Sequence, residues 1–98
     1  MENEVIHDPD NREFYCVITG LKSALCYYEN PGFIDIYHTF VPAELRNRGI
    51  AQGLMEKAVE FARVSGRKIL PTCSYAENYL SRHDELKDII YNGQNKDQ

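Results

Sequence analysis

Ninety-eight residues with a net charge of −4 and a pI near 5.3 make one small domain with a modest core, and this acidic balance argues against nucleic acid, whose backbone requires a broad basic surface. No apolar run approaches the roughly 20 residues of a membrane span, and the acidic start Met-Glu-Asn-Glu is unlike a basic-headed signal sequence; the expectation is a cytoplasmic protein without membrane contact. Cys16, Cys26 and Cys73 are an odd, scattered set with no zinc-ligand spacing, so reduced thiols and no metal are expected.

Glu4 to His7 fits a short first strand, and Asp8-Pro9-Asp10-Asn11 is a turn built of residues that favour turns for separate reasons. From Glu13 to Thr19, Phe14, Cys16 and Ile18 alternate with Glu13, Tyr15, Val17 and Thr19, the period of a strand. Gly20 then permits a tight reversal into a strand over about Leu21 to Tyr28, and Glu29-Asn30-Pro31-Gly32 turns the chain again. Phe33 to Val41 is apolar, β-branched and aromatic enough for a buried strand that Pro42 ends. On that strand the alternation places His38 with Ile34, Ile36 and Phe40, on a mainly apolar face.

At Ile50 the period changes. Ile50, Ala51, Leu54, Met55, Ala58, Val59 and Ala62 recur at helical spacing, with Gln52, Glu56, Lys57, Glu60 and Arg63 largely opposite, until Gly66. Lys68 to Cys73 reads as a short strand after a helical crossover, hence parallel to the strand before the helix. Ser74-Tyr75-Ala76-Glu77 has the spacing of a capping box with Ser74 as N-cap, opening a second helix to about Arg82. Residues 83–90 can add a further turn or two, and 92–98 are polar enough for a flexible tail, leaving residues 1–91 as the domain. The fold class is α/β (α+β), a compact mixed sheet of about five strands.

Between the apolar strand and the long helix lies Arg46-Asn47-Arg48-Gly49-Ile50-Ala51-Gln52-Gly53. A helix start leaves backbone N–H groups unpartnered and carries partial positive charge, and the small side chains of Gly49, Ala51 and Gly53 would let phosphate oxygens approach. Arg46 and Arg48 would add charge at the rim. The plainer reading is a surface loop with solvated arginines and glycines that serve only the turn.

Arg46-Asn47-Arg48-Gly49-Ile50-Ala51 resembles the Arg/Gln-x-x-Gly-x-Gly/Ala signature of the GNAT superfamily of N-acetyltransferases. His38-Thr39-Phe40-Val41-Pro42 and Pro71-Thr72-Cys73-Ser74-Tyr75 resemble its short, single-domain, GNAT-like group. The resemblance implies acetyl-CoA as acyl donor, a CoA-binding long helix, and a pyrophosphate cradle made by Arg46, Asn47, Arg48, Gly49, Ile50, Ala51 and Gln52. It also implies that pantetheine lies between splayed strands ending at Val41 and Cys73. Backbone groups of Phe40 and Val41 would pair with it there, with the Val41 N–H directed toward the thioester oxygen. Against full-length GNAT enzymes the chain looks trimmed: Asp8 to Arg12 leaves room only for a turn where two helices usually stand, and nothing after Ile90 can form a hairpin. The acceptor half of the site is thus reduced.

Cys73, just before a capped helix, sits where the local field favours thiolate and is a candidate catalytic acyl carrier; the alternative is a small apolar residue closing a strand. His38 is the candidate base by residue type, against a satisfied sheet histidine. Thr39 would donate to the cofactor or pair across strands. Tyr75 and Tyr79 share a helix face, and the resemblance makes Tyr79 a candidate acid for the leaving thiolate, without the usual Asn-x-x-Ala-x-x-x-Tyr pattern; the plainer reading is an aromatic pair packing the helix. Asn78 faces pantetheine or solvent. Cys16 and Cys26 are expected in the core or on a sheet face, and His7 and His83 at the periphery. The expected function is N-acetyl transfer from acetyl-CoA to an unidentified amine, on a small molecule or an exposed protein lysine or N-terminus, possible through acetyl-Cys73 and carried out by a monomer or weak homodimer. The alternatives are an acyl-CoA-binding or sensing module without turnover, and an interaction domain that binds no CoA.

Overall fold

The computed structural model describes residues 4–91; the expected tail at 92–98 lies outside them. Five strands form one sheet in the order β1-β2-β3-β4-β5, namely β1 (Ile6–Asp8), β2 (Glu13–Ile18), β3 (Leu21–Glu29), β4 (Phe33–Phe40) and β5 (Lys68–Pro71). The first four are an antiparallel meander with short turns. β5 runs parallel to β4, as a connection through helix α1 (Ile50–Val64) requires. A 3₁₀ turn (Ala43–Leu45) precedes α1, and α2 (Ser74–Ser81) and a second 3₁₀ segment (Asp84–Ile89) follow β5.

The core lies between one sheet face and α1. Phe14, Cys16, Leu25, Tyr27, Ile34, Ile36 and Ile69 meet Ile50, Leu54, Met55, Ala58 and Ala62, and all are buried. The other face leaves Val17, Tyr28, Tyr37 and Phe40 exposed, with the Tyr28 and Tyr37 rings stacked at 4.2 Å.

Two local features correct the expectations from sequence. In β4 the alternation breaks: Tyr27 pairs with Ile36 and Cys26 with His38, so Tyr37 has no place in the register. Such a bulge shifts every later residue to the opposite face. His38 and Phe40 are therefore exposed rather than grouped with the buried Ile34 and Ile36, and Thr39 takes the inward position opposite Leu25. At the start of α2 the N-cap is Cys73, not Ser74: its backbone is extended, its Sγ accepts from the Ala76 N–H at 3.4 Å, and its carbonyl accepts from Glu77 N–H. β5 thus stops at Pro71, two residues short of the expected Cys73.

His7 is not peripheral. It is partly buried, stacks on Phe14 at 4.1 Å and shares a 2.6 Å hydrogen bond with the buried Tyr27 hydroxyl.

Candidate functional site

β4 and β5 stay paired only as far as Ile36 and Pro71. The Ile36 carbonyl then accepts from both Thr72 and Cys73 N–H, each at 3.0 Å. The Thr72 hydroxyl donates to the Asp35 carboxylate and closes the same point from the side chains. Beyond it β4 runs on through Tyr37–Phe40 while the other chain turns into α2. A cleft opens between the end of β4 and the starts of α1 and α2.

The cleft encloses about 220 Å³ and is lined by Val41, Leu45, Arg46, Asn47, Gly49, Ile50, Ala51, Gln52 and Tyr75. This is below the roughly 300 Å³ at which pockets for whole small ligands begin, so the walls fit a fragment such as a diphosphate, with the remainder of a longer ligand lying along the surface. Its floor is the α1 N-terminus. Gly49, the N-cap, has φ 79°, makes no side-chain cap, and no acidic residue stands in the first turn. The partial positive charge of these N–H groups is left for an external anion. Asn47 is also left-handed (φ 68°), and turns of this kind direct successive amides into one concavity. A Cβ at Gly49 would meet nothing within 4 Å, so the backbone faces open space. These features fit a pyrophosphate.

The two arginines differ in use. Arg46 donates through Nε to the Val41 carbonyl at 2.9 Å, which ties the loop back to the strand end while its terminal nitrogens remain for a ligand. Arg48 is exposed on the loop. Leu45, buried, anchors the 3₁₀ turn between them and Pro42.

At the mouth of the splay, Cys73 Sγ lies 3.4 Å from Thr39 Oγ1 as well as from the Ala76 amide. Tyr75 and Tyr79 follow on α2 with ring centroids 6.2 Å apart, and Tyr79 stacks on His83 at 4.2 Å. Burial raises the phenol pKa of both tyrosines, and the carboxylate of Glu56 on α1 adds to the rise, so both stay protonated through the neutral range. Asn78 is exposed on α2. The structure lines one cleft with Val41, Arg46, Asn47, Gly49, Ile50, Ala51, Gln52 and Tyr75, while Cys73 is the N-cap of α2, two residues before Tyr75, and Tyr79 lies one turn further along that helix. His38 and Phe40 stand apart from the cleft, on the open sheet face, where His38 is directly opposite Cys26. Thr39 is the residue that sequence reasoning underrated: its contact with Cys73 depends on the bulge, which no glycine or proline marks. Among the described residues no cluster of three or more His, Cys, Asp or Glu could hold a metal, and no helix is long and apolar enough to cross a membrane.

A profile of the family described as GCN5-related N-acetyltransferase matches residues 13–89. The chain is 34% identical over 83 residues to Protein NATD1 of Gallus gallus, covering 82% of this chain and 76% of that protein. To Protein NATD1 of Homo sapiens it is 34% identical over 82 residues, covering 81% and 73%. The solution structure of a GCN5-like protein from Staphylococcus aureus superposes with a TM-score of 0.73 at 28% identity, over 97% of this chain and 95% of that one.

Proposed function

The chain belongs to the GCN5-related N-acetyltransferase family, and from that premise we propose that it binds acetyl-CoA in the cleft at the α1 N-terminus and transfers the acetyl group to an amine through Cys73. The observation that carries the reading is the uncapped α1 N-terminus at left-handed Gly49, open to the cleft beside the splay of β4 and β5. Acetyl-CoA, as substrate, supplies the activated acyl carbon.

The chain's own groups divide the work. Amides of Gly49, Ile50 and Ala51 bind the diphosphate, with Arg46 and Arg48 at its rim and Asn47 and Gln52 beside it. Phe40 and Val41 offer backbone groups to the pantetheine, and Val41 N–H faces the carbonyl oxygen, where charge develops. Cys73 sulfur bonds to the acyl carbon as the bond to the CoA sulfur breaks, and the proton lost by Cys73 is matched by one gained on the departing thiolate from Tyr79, which is replenished from solvent. The acceptor amine then displaces Cys73 sulfur, forming an amide and returning one of its protons to the thiol. His38 lies on the open sheet face, apart from the cleft, and takes no proton in this scheme.

Native mass spectrometry after incubation with acetyl-CoA, followed by peptide mapping, tests the reading. A noncovalent CoA adduct and one acetyl group on Cys73 are expected. An adduct without acetylation leaves direct transfer, or a sensing module without turnover, and excludes the Cys73 carrier. No adduct from folded protein overturns the cofactor assignment.

A further inference from the structure

We propose that Thr39 is a positioning residue for the Cys73 sulfur, holding it for acyl transfer through a contact created by the Tyr37 bulge; the inference rests on the acyl-carrier reading of Cys73. Without the extra residue, the two-residue period of β4 would turn Thr39 to the open face. With it, Thr39 faces inward opposite Leu25, and its Oγ1 reaches Cys73 Sγ at 3.4 Å. The sulfur is then held from two sides, by this hydroxyl and by the Ala76 amide at 3.4 Å. Its backbone is fixed in turn by the Cys73 N–H bond to the Ile36 carbonyl at 3.0 Å. The donor on one side is a fixed backbone N–H, but the hydroxyl on the other rotates and can reverse its role. As a thiol, Cys73 donates to Thr39 Oγ1; once the sulfur has given up its proton, Thr39 donates to it. One contact therefore serves both states of the nucleophile. When the acetyl group is attached, sulfur has neither a proton to donate nor a full charge to offer, so the hold relaxes as the acyl group must move on.

The contact can be read without turnover. Full-length wild type, Thr39→Val and Thr39→Ser would be treated with iodoacetamide near neutral pH, and alkylation of Cys73 followed by peptide mapping with Cys26 as internal reference. Loss of one hydrogen bond to a charged sulfur should slow Cys73 alkylation in Thr39→Val by roughly tenfold relative to Cys26, while Thr39→Ser, which keeps the hydroxyl, should stay within about twofold of wild type. Equal Cys73 rates in wild type and Thr39→Val overturn the inference, as does slowing that Thr39→Ser fails to relieve, since a packing defect would affect both. Acetylation by acetyl-CoA, scored separately, tests the carrier reading: a Thr39→Val effect on alkylation with no acetyl group on wild-type Cys73 would sink that reading and leave the hydroxyl–sulfur contact standing.

Discussion

The His7 imidazole and the Tyr27 hydroxyl meet at 2.6 Å across the width of β2, between the sheet edge and its centre. The pair lies within an aromatic cluster: His7 stacks on Phe14 and tilts 4.5 Å from Phe61, with the Arg67 guanidinium above the Phe61 ring. β1 has only three residues, so this contact supplies anchorage that the short ladder cannot.

A pH dependence follows from it. Burial lowers the His7 pKa below its ordinary 6.5, against smaller upward pulls from Glu29 and Asp8. The unfolded chain therefore takes up the proton more readily than the folded one, and the contribution of His7 is full above pH 6.5 and is lost as pH falls from there through the lower folded value. Urea midpoints should fall between pH 7.5 and 5.5 in wild type and fall less in His7→Phe. Parallel curves for the two proteins would remove His7 from the explanation.

Gly49 and Gly53 should respond oppositely to alanine. Both have open space where a Cβ would go, but Gly49 is left-handed at φ 79° while Gly53 lies inside α1. Gly49→Ala should lose roughly 1–2 kcal/mol to backbone strain and weaken CoA binding. Gly53→Ala should gain up to about 1 kcal/mol from helix propensity. Thermal unfolding and a CoA titration read both; a Gly49→Ala protein of wild-type stability and affinity would detach the left-handed turn from the site.

How much of this was legible depended on whether a local rule applied. The strands and α1 follow from period, because the buried set Phe14 and Cys16 on β2 and Leu54, Met55 and Ala58 on α1 repeats at the spacing each element demands. The left-handed turn at Gly49 and the start of α1 at Ile50 were legible because a glycine stands where the polar run ends and the helical period begins. The exchange of His38 and Thr39 was not, since a bulge at Tyr37 is a property of the pairing with Cys26 and Tyr27 rather than of Tyr37 itself. The cap moved to Cys73 for a similar reason. The Ile36 carbonyl takes the amides of Thr72 and Cys73 and brings the thiol to the first turn, where Ser74 would otherwise be the preferred residue.

Core truncation should be severe at Leu54 and negligible at Val64, on the same helix. Leu54 is fully buried, whereas Val64 is 83% exposed. Leu54→Ala should cost roughly 2–5 kcal/mol, a large part of the roughly 5–15 kcal/mol typical of a domain, and Val64→Ala should stay within about 0.5 kcal/mol. Chemical denaturation of both variants checks whether α1 packs as described.

Substitution of Tyr79 would separate the proposed acid role from binding. Its ring lies flat on His83, and burial first, then the carboxylate of Glu56, lifts the phenol above its ordinary 10.0. A group so tuned remains protonated across the neutral and mildly alkaline range, the state in which it can give a proton to a leaving thiolate. Its hydroxyl is not needed for the stacking, which Phe can reproduce. Tyr79→Phe should therefore bind CoA within about twofold of wild type while acetyl transfer to Cys73 slows by roughly 10²-fold, the lower end of what a positioned general acid contributes. Quenched-flow acetylation beside a CoA titration separates the two. Unchanged transfer would assign Tyr79 to packing alone, and a matched loss of transfer and affinity would make it part of the binding wall rather than the acid.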